Sequence, residues 1–315
     1  MRHLIKDLSR LLKKLEFILE RRNHFDWTGN LPMKFPTLFY AAEESSTENQ
    51  KIFLYARSSE FIALLLAATF GEISGGGRWS ISSFFTLVFF LIALLVRVSG
   101  IGDRAEKNWY DSRAAAESLK SLSWQYAVGG EAFSISDKTS DARLFKSINK
   151  VLTILPNLDI PASDGEHSTI TLEMRNLRSS EKVVRAGKYA SDRVKDQVAW
   201  YKKKAIWNKK QARIWRNILI AVEFVAVLLG LLRLVELFEV NWLGIFAAAA
   251  SGVAAWQQTR NFSLLSESYA ITSHEVVLVQ EYLDAHVDEA GWAEAVGKAE
   301  TAFSREHTLW GARRS

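Results

Sequence analysis

Two long apolar zones, separated by strongly charged sequence, constrain this chain more than any other feature. They lie near residues 58–99 and 217–257, and each divides into two apolar runs around a short connector. A helix needs roughly 20 apolar residues to cross the hydrocarbon core of a bilayer. We therefore predict an all-α membrane protein with four transmembrane helices in two hairpins. The alternative, apolar helices buried in a large soluble core, fits the basic flanks of both zones less well.

The four apolar runs differ in length. The first zone consists of the short run Phe61–Phe70 and the longer run Ile81–Val98, with a turn signal at Gly75–Gly77 between them. The second zone consists of Ile218–Phe238 and Trp242–Trp256. Each zone is therefore interpreted as a pair of helices joined by a tight connection.

Small residues line one face of the last apolar run. Gly244, Ala248 and Gly252 follow one another at intervals of four residues. Such a face lets helix backbones approach closely in lipid, where packing drives association. We predict that this face packs against another helix and that the chain forms a homo-oligomer.

The distribution of basic residues predicts the orientation in the membrane. The connectors within the two hairpins carry almost no Lys or Arg, whereas the N-terminal segment, residues 100–216 and the tail after Gln258 carry nearly all of it. Cytoplasmic segments carry the excess of Lys and Arg. We therefore predict a multi-pass protein of the plasma membrane with both termini in the cytoplasm.

The charged segments outside the apolar zones consist mostly of helix-forming residues. They predict that the membrane helices extend into a cytoplasmic helical bundle. Pro156 and Pro161 mark the irregular segment 155–169, which we interpret as a linker. The predicted modules are therefore 1–154 and 170–315, each with one hairpin.

Glu223 is the residue with the sharpest functional implication. It lies seven residues past Arg216, hence roughly 10 Å into the third apolar run at 1.5 Å per residue. A carboxylate at that depth is costly unless it meets water, a partner or a proton. Glu223 and Arg233 are therefore candidates for lining or gating a pore; the alternative for Glu223 is pairing with a neighbouring helix or snorkelling to the headgroups.

A run of lysines precedes the third apolar run, at Lys202, Lys203, Lys204, Lys209 and Lys210. It predicts contact with anionic lipid on the cytoplasmic side. The alternative is a surface that binds an anionic second messenger. Because 40 basic residues face 35 acidic ones, for a net charge of +5, nucleic-acid binding is not expected.

No pattern in the sequence indicates an enzyme. The chain has no cysteine, its six histidines are scattered, and Gly75–Gly77 lacks the following Lys-Ser/Thr of a phosphate-binding loop. We expect no catalytic residue, no metal site and no cofactor.

Two segments resemble a known superfamily. The stretch 189–215, YASDRVKDQVAWYKKKAIWNKKQARIW, leads into the second hairpin, and AETAFSREHTLWGAR at 299–313 closes the chain. Both resemble the SLATT superfamily, two-transmembrane effector domains associated with SMODS and SLOG domains, part of which is DUF4231. The segment 103–133, DRAEKNWYDSRAAAESLKSLSWQYAVGGEAF, resembles a second module of the same superfamily. The chain is therefore similar to a tandem of SLATT modules.

The resemblance implies a function that the residues alone do not indicate. Proteins of this superfamily are expected to act as pore-forming effectors in the inner membrane of bacteria, in anti-phage or other conflict systems. A nucleotide second messenger or a sensor protein is the implied activating partner, although no glycine loop or nucleotidyltransferase motif of a sensor domain is visible here. The alternatives are a non-conducting membrane scaffold, whose cytoplasmic bundle recruits a partner, and a housekeeping ion channel.

The topology is tested by cysteine accessibility, since the native chain has no cysteine. We expect Ser163→Cys, in the predicted cytoplasmic linker, to resist an impermeant maleimide in intact cells and to react after permeabilisation. Labelling of Ser163→Cys from outside intact cells would contradict the predicted orientation.

Overall fold

The structure, a computed structural model, describes residues 33–72, 81–154, 169–235, 242–285 and 288–312. At 154, 284, 285 and 304–312 it describes the backbone alone. Residues 1–34 form one unit, of which only the last two are described, and Phe35–Ser315 form the other. The following account concerns the second unit. All regular secondary structure in its described residues is helical, as predicted.

The helices are, in chain order, α1 (Thr37–Glu72), α2 (Ile81–Ser99), α3 (Ile101–Val128), α4 (Ser140–Ile154), α5 (Leu172–Ser179), α6 (Lys182–Leu234), α7 (Trp242–Arg260), α8 (Phe262–Ala285) and α9 (Glu289–Ala312). A short 3₁₀ turn, Glu131–Phe133, follows α3. Helix α6 is 53 residues long and contains a π-helical turn at Ala190–Val194.

The two halves of the chain use the same order of helices. A long helix, α1 or α6, precedes an apolar helix, α2 or α7, which passes into a polar helix, α3 or α8, through one left-handed residue. That residue is Gly100, with φ 63°, in the first half and Asn261, with φ 46°, in the second. Glycine and asparagine are the residue types that adopt this conformation most readily. The joint turns the chain without a loop, so that α3 packs along α1 and α8 along α6.

Helices α1 and α2 pack as an antiparallel pair. The Phe70 ring near the end of α1 lies 5.3 Å from the Phe85 ring and 5.6 Å from the Phe89 ring, near the start of α2. At the other end of the pair, Arg97 Nη1 lies 3.3 Å from Glu60 Oε1.

Helix α7 joins the apolar helices of the two halves, because it contacts both α1 and α6. The Trp256 ring lies 6.4 Å from the Phe61 ring of α1 and 6.0 Å from the Trp215 ring of α6. The apolar helices therefore neighbour one another in the order α2, α1, α7, α6.

Much of the apolar surface of these helices faces away from the chain. Ile81, Leu87 and Val98 of α2 are 73%, 67% and 75% exposed. Large exposed apolar surfaces of this kind mark contact with a membrane or with other chains. The apolar helices are therefore not the buried core of a soluble fold.

Three helices in the described residues, α1, α2 and α6, are long and apolar enough to cross a membrane. Helix α7, the predicted fourth span, is not among them. Its 19 residues include the polar Gln257, Gln258 and Thr259, and its apolar part is built largely of small alanines. The count of four spans remains a prediction.

A core of aromatic residues holds the two halves together away from the apolar helices. Trp124 of α3, Tyr189 of α6 and Trp292 of α9 form a chain of edge-to-face rings with centroids 5.8 and 5.9 Å apart. All three are buried. Each such contact adds about 0.5–1.5 kcal/mol to the free energy gained from area burial.

Side chains of the second half bind the C-terminal end of α3. The Val128 carbonyl accepts hydrogen bonds from Arg185 Nη1 at 2.7 Å and from Trp292 Nε1 at 3.0 Å. Arg178 donates to the carbonyls of Tyr126 at 2.8 Å and Phe133 at 2.7 Å. The last carbonyls of a helix lack partners within it. These donors therefore replace water at a buried helix end.

Gly129, which ends α3 with φ 77°, tests this junction. A Cβ there would lie 2.7 Å from Ile135 Cγ1 and 2.9 Å from Arg185 Nη1, whereas a Cβ at Gly187 would meet nothing within 4 Å. We expect Gly129→Ala to cost at least about 1–2 kcal/mol of unfolding free energy from its left-handed backbone alone, and Gly187→Ala to be neutral or stabilising by up to about 1 kcal/mol. Thermal unfolding of the full chain in detergent measures both. Equal melting temperatures for the two variants would contradict the described junction.

Candidate functional site

The π-helical turn of α6 places a charged side chain inside the core. Arg193 lies in this turn and is 2% exposed. Its Nε donates to Glu300 Oε1 at 3.0 Å and its Nη2 donates to Glu300 Oε2 at 2.8 Å. The Tyr189 hydroxyl also donates to Glu300 Oε1, at 2.8 Å, and the Phe303 ring centroid lies 4.9 Å from Arg193 Cζ. We call Arg193, Glu300, Tyr189 and Phe303 the Arg193 cluster.

Electrostatics keep Arg193 charged. Burial acts to lower the pKa of Arg193, but the hydrogen-bonded Glu300 carboxylate raises it above its usual value. Burial, with the charge of Glu300, raises the pKa of Tyr189 well above its usual value, so that the phenol remains a donor. Parallel hydrogen bonds between a guanidinium and a carboxylate are among the strongest in proteins. Removing one partner would leave an uncompensated charge in the core.

The π-helical turn connects this cluster to the apolar part of α6. From Arg193 the helix continues through Leu234, and its apolar part begins near Ile218, about 38 Å away at 1.5 Å per residue. Single π-helical turns within α-helices occur frequently at functional sites. A displacement of α6 at the cluster would therefore be carried along one helix into its apolar end.

Helix α9 is held against the rest of the core at three points. Glu289, at its start, pairs with Arg185 Nη2 at 2.6 Å. Trp292, one turn later, donates to the Val128 carbonyl, and Glu300 pairs with Arg193 two turns further on. Helix α9 therefore connects α3 to the base of α6.

Further charged groups extend from the cluster toward α1. Arg113 Nη1 of α3 lies 3.3 Å from Glu43 Oε1 of α1, and Arg113 Nη2 lies 2.5 Å from Glu117 Oε1. Burial raises the pKa of Glu43 although Arg113 opposes it. Burial likewise lowers the pKa of Lys120, which interacts with Glu117 and with Arg193. Partly buried charges thus link α1, α3, α6 and α9.

The predicted pore residues lie on the outside of the chain. Glu223 and Arg233 are both exposed on α6. Gly244, Ala248 and Gly252 are half-buried on α7, and a Cβ at Gly252 would meet nothing within 4 Å. The roles of these residues remain predictions.

The predicted lysine run is also peripheral. Lys202, Lys203, Lys209 and Lys210 are exposed, and Lys204 is half-buried with its Nζ 5.5 Å from the centre of the Trp200 ring. None of them belongs to the Arg193 cluster. Within the described residues there is also no group of three metal-ligating side chains.

The sequence analysis missed Arg193 and Glu300. Both lie in the segments, 189–215 and 299–313, on which the resemblance was based. The family resemblance of these two segments was the available signal. The local sequence around either residue does not indicate that residues 107 positions apart form a pair.

The buried aromatic residues Trp124, Tyr189 and Trp292, together with the Arg193 cluster, form what we call the polar core. The architecture defines a membrane protein built as a tandem of helical modules that share this core. Residues 36–186 match the family model of SMODS and SLOG-associating 2TM effector domain 3, and residues 189–310 match that of SMODS and SLOG-associating 2TM effector domain 1. The chain therefore belongs to the SLATT superfamily, with two domains in tandem, as the resemblance implied. Neither a curated protein nor a solved structure matches it.

The first match extends through the predicted linker 155–169, of which only Thr169 is described, and the two matches meet near the start of the π-helical turn. The Arg193 cluster therefore joins the beginning of the second matched domain, at Tyr189 and Arg193, to its end, at Glu300 and Phe303. The module boundary at the linker remains a prediction.

A double-mutant cycle tests the buried pair. We expect Arg193→Met and Glu300→Leu each to cost about 3–5 kcal/mol of unfolding free energy, because each leaves the other charge buried alone. The double variant should cost less than either single variant, since it removes both charges. Denaturant unfolding in detergent measures the cycle, with Lys195→Gln, an exposed position two residues from Arg193, as the control. Additive single costs would contradict a direct, buried pair.

Proposed function

We propose that this protein is an oligomeric, pore-type membrane effector of a bacterial conflict or anti-phage system. The observation that supports this most strongly is the continuity of α6. One helix runs from the buried Arg193 cluster to a segment apolar enough to cross a membrane, and it carries Glu223 in that segment. The matched domains are described as 2TM effectors, which agrees with this role.

In this proposal the four apolar helices form two hairpins in the bacterial inner membrane. Helices α2, α1, α7 and α6 cross it side by side. The polar core and both termini lie in the cytoplasm, consistent with the distribution of Lys and Arg. The linker 155–169 is on the same side.

Assembly into a homo-oligomer explains the surfaces that one chain leaves open. No residue in the most apolar window of α6 is buried within the chain. A carboxylate facing hydrocarbon is costly, whereas one facing a water-filled lumen or a second subunit is not. Glu223 therefore lines the pore, and the small-residue face of α7 packs against a neighbouring subunit.

Gating follows from the position of the Arg193 cluster. A nucleotide signal or a sensor protein that displaces α9 separates Glu300 from Arg193 and releases the base of α6. The movement is transmitted along the helix to Glu223. The protein needs no catalytic residue, metal or cofactor for this role.

A non-conducting scaffold is the second candidate. The observation in its favour is that α9 closes over α3 and α6 in the polar core, where Trp124, Tyr189 and Glu300 are buried. Such a core is suited to recruiting a partner as well as to gating.

Reversal potentials of the reconstituted full chain in a salt gradient test the pore. We expect cation preference in the wild type, because a carboxylate in a narrow lumen attracts cations. Glu223→Gln should move the reversal potential toward zero, while Glu267→Gln, an exposed carboxylate on α8, should leave it unchanged. A Glu223→Gln variant with the wild-type reversal potential but a lowered melting temperature would assign Glu223 a structural role. Absence of conductance with every activating signal would favour the scaffold.

A further inference from the structure

We propose that Arg260 and Trp256, at the end of α7, form a binding site for the phosphate group of an anionic ligand. The two residues are four positions apart on one face of the helix, and the Arg260 Cζ lies 5.8 Å from the centre of the Trp256 ring. We call this pair the Arg260 site. It is separate from the Arg193 cluster and from the predicted lysine run.

The first observation is a guanidinium that no carboxylate in the described part of the chain neutralises. Arg260 is half-buried, and among the described residues it forms neither an ion pair nor a hydrogen bond. Its contacts are aromatic: besides Trp256, the Phe262 ring centre lies 5.3 Å from its Cζ. Most other arginines described above, such as Arg57, Arg113 and Arg185, pair with a carboxylate. A half-buried guanidinium retains five donors that need acceptors.

The second observation concerns the adjacent indole. Trp256 is 8% exposed, and its Nε1 has no acceptor in the described part of the chain. Its ring is held between Phe61 of α1 and Trp215 of α6, so the indole cannot turn freely toward water. A buried donor without an acceptor costs about 1–3 kcal/mol. In this proposal one acceptor from outside the chain serves this buried donor and the partly exposed Arg260 guanidinium, one helical turn away.

The residues around Arg260 come from both halves of the chain. Tyr110 of the first half and Tyr269 of the second are close enough to interact electrostatically with Arg260, so both matched domains contribute to its surroundings. The guanidinium of Arg260 is charged at neutral pH, as arginine is throughout proteins. The left-handed residue Asn261 lies between Arg260 and Phe262 in the chain, and the Phe262 ring stays close to the guanidinium.

The chemistry fits a phosphate ester. A guanidinium accommodates two phosphate oxygens at once, and an indole N–H can bind a third. Helix α7 leaves its apolar part at Trp256, the level at which tryptophan and basic residues meet headgroups. The phosphate can belong to an anionic phospholipid or to a soluble phosphate compound, and the two sources are distinguished by experiment.

The experiment uses the full chain in an uncharged detergent and measures thermal stability at constant ionic strength. The probes are dioctanoyl phosphatidylglycerol, dioctanoyl glycerol (the same chains without phosphate), inorganic phosphate and AMP. We expect phosphatidylglycerol to raise the melting temperature and dioctanoyl glycerol to leave it unchanged. If inorganic phosphate or AMP raises it as well, the site accepts soluble phosphates; if only the lipid does, the ligand is a headgroup.

Variants assign the effect to this site. Trp256→Phe keeps an aromatic ring but removes the N–H and the second ring of the indole, so its melting temperature with ligand is compared with its own value without ligand, and we expect about tenfold weaker binding. Arg260→Gln should abolish the shift, whereas Lys209→Gln, an exposed cation of the same face of the membrane, should keep it. An equal shift in wild type and Arg260→Gln, or no shift with any phosphate probe, would overturn the proposal. None of these readouts requires conductance, so the site and the pore fail independently.

Discussion

The two parallel hydrogen bonds between Arg193 and Glu300 are the interaction on which the packing of the second half depends, because they join the beginning of the second matched domain to its end. A fully buried ion pair costs desolvation on both sides and is retained only where its geometry is good. Here the carboxylate accepts from both the guanidinium and Tyr189, while Phe303 covers the guanidinium face. The pair joins α9 to the π-helical turn of α6. It therefore holds α6 at the point where this helix leaves the core.

The apolar helices obey a different constraint. In a bilayer the hydrophobic effect does not press helices together, so association depends on shape and on polar contacts. Within this chain the four helices meet in one row. Phe70 of α1 packs against Phe85 of α2, and Trp256 of α7 lies between α1 and α6. A single row leaves one apolar side of each helix to lipid or to another subunit. The exposed position of Glu223 is costly in the first case and reasonable in the second.

Three kinds of cation in the second half have different roles because their surroundings differ. Exposed lysines such as Lys209 are solvated and suit diffuse attraction to anionic lipid. Arg193 has an internal carboxylate and is structural. Arg260 lies among aromatic rings without a carboxylate from the described residues, which is the environment of a ligand-binding group. Charge alone does not distinguish them, since all three lie on or beside helices that lead to the membrane.

The sequence by itself determined what depends on local composition. Apolar runs such as Ile81–Val98 and helix-forming flanks predicted an all-helical membrane protein, and two segments carrying family likeness predicted the tandem of SLATT domains. The fourth run has small side chains and is followed by two glutamines in α7. For this run, composition alone does not establish a membrane span. Only the tertiary structure decided the candidate sites. Arg193 and Glu300 are 107 residues apart, and the π-helical turn that directs Arg193 inward changes the helical register on which sequence patterns depend. Whether an arginine is paired or available is a property of the fold, because it depends on which distant side chains the packing of α3, α7, α8 and α9 brings within hydrogen-bonding distance.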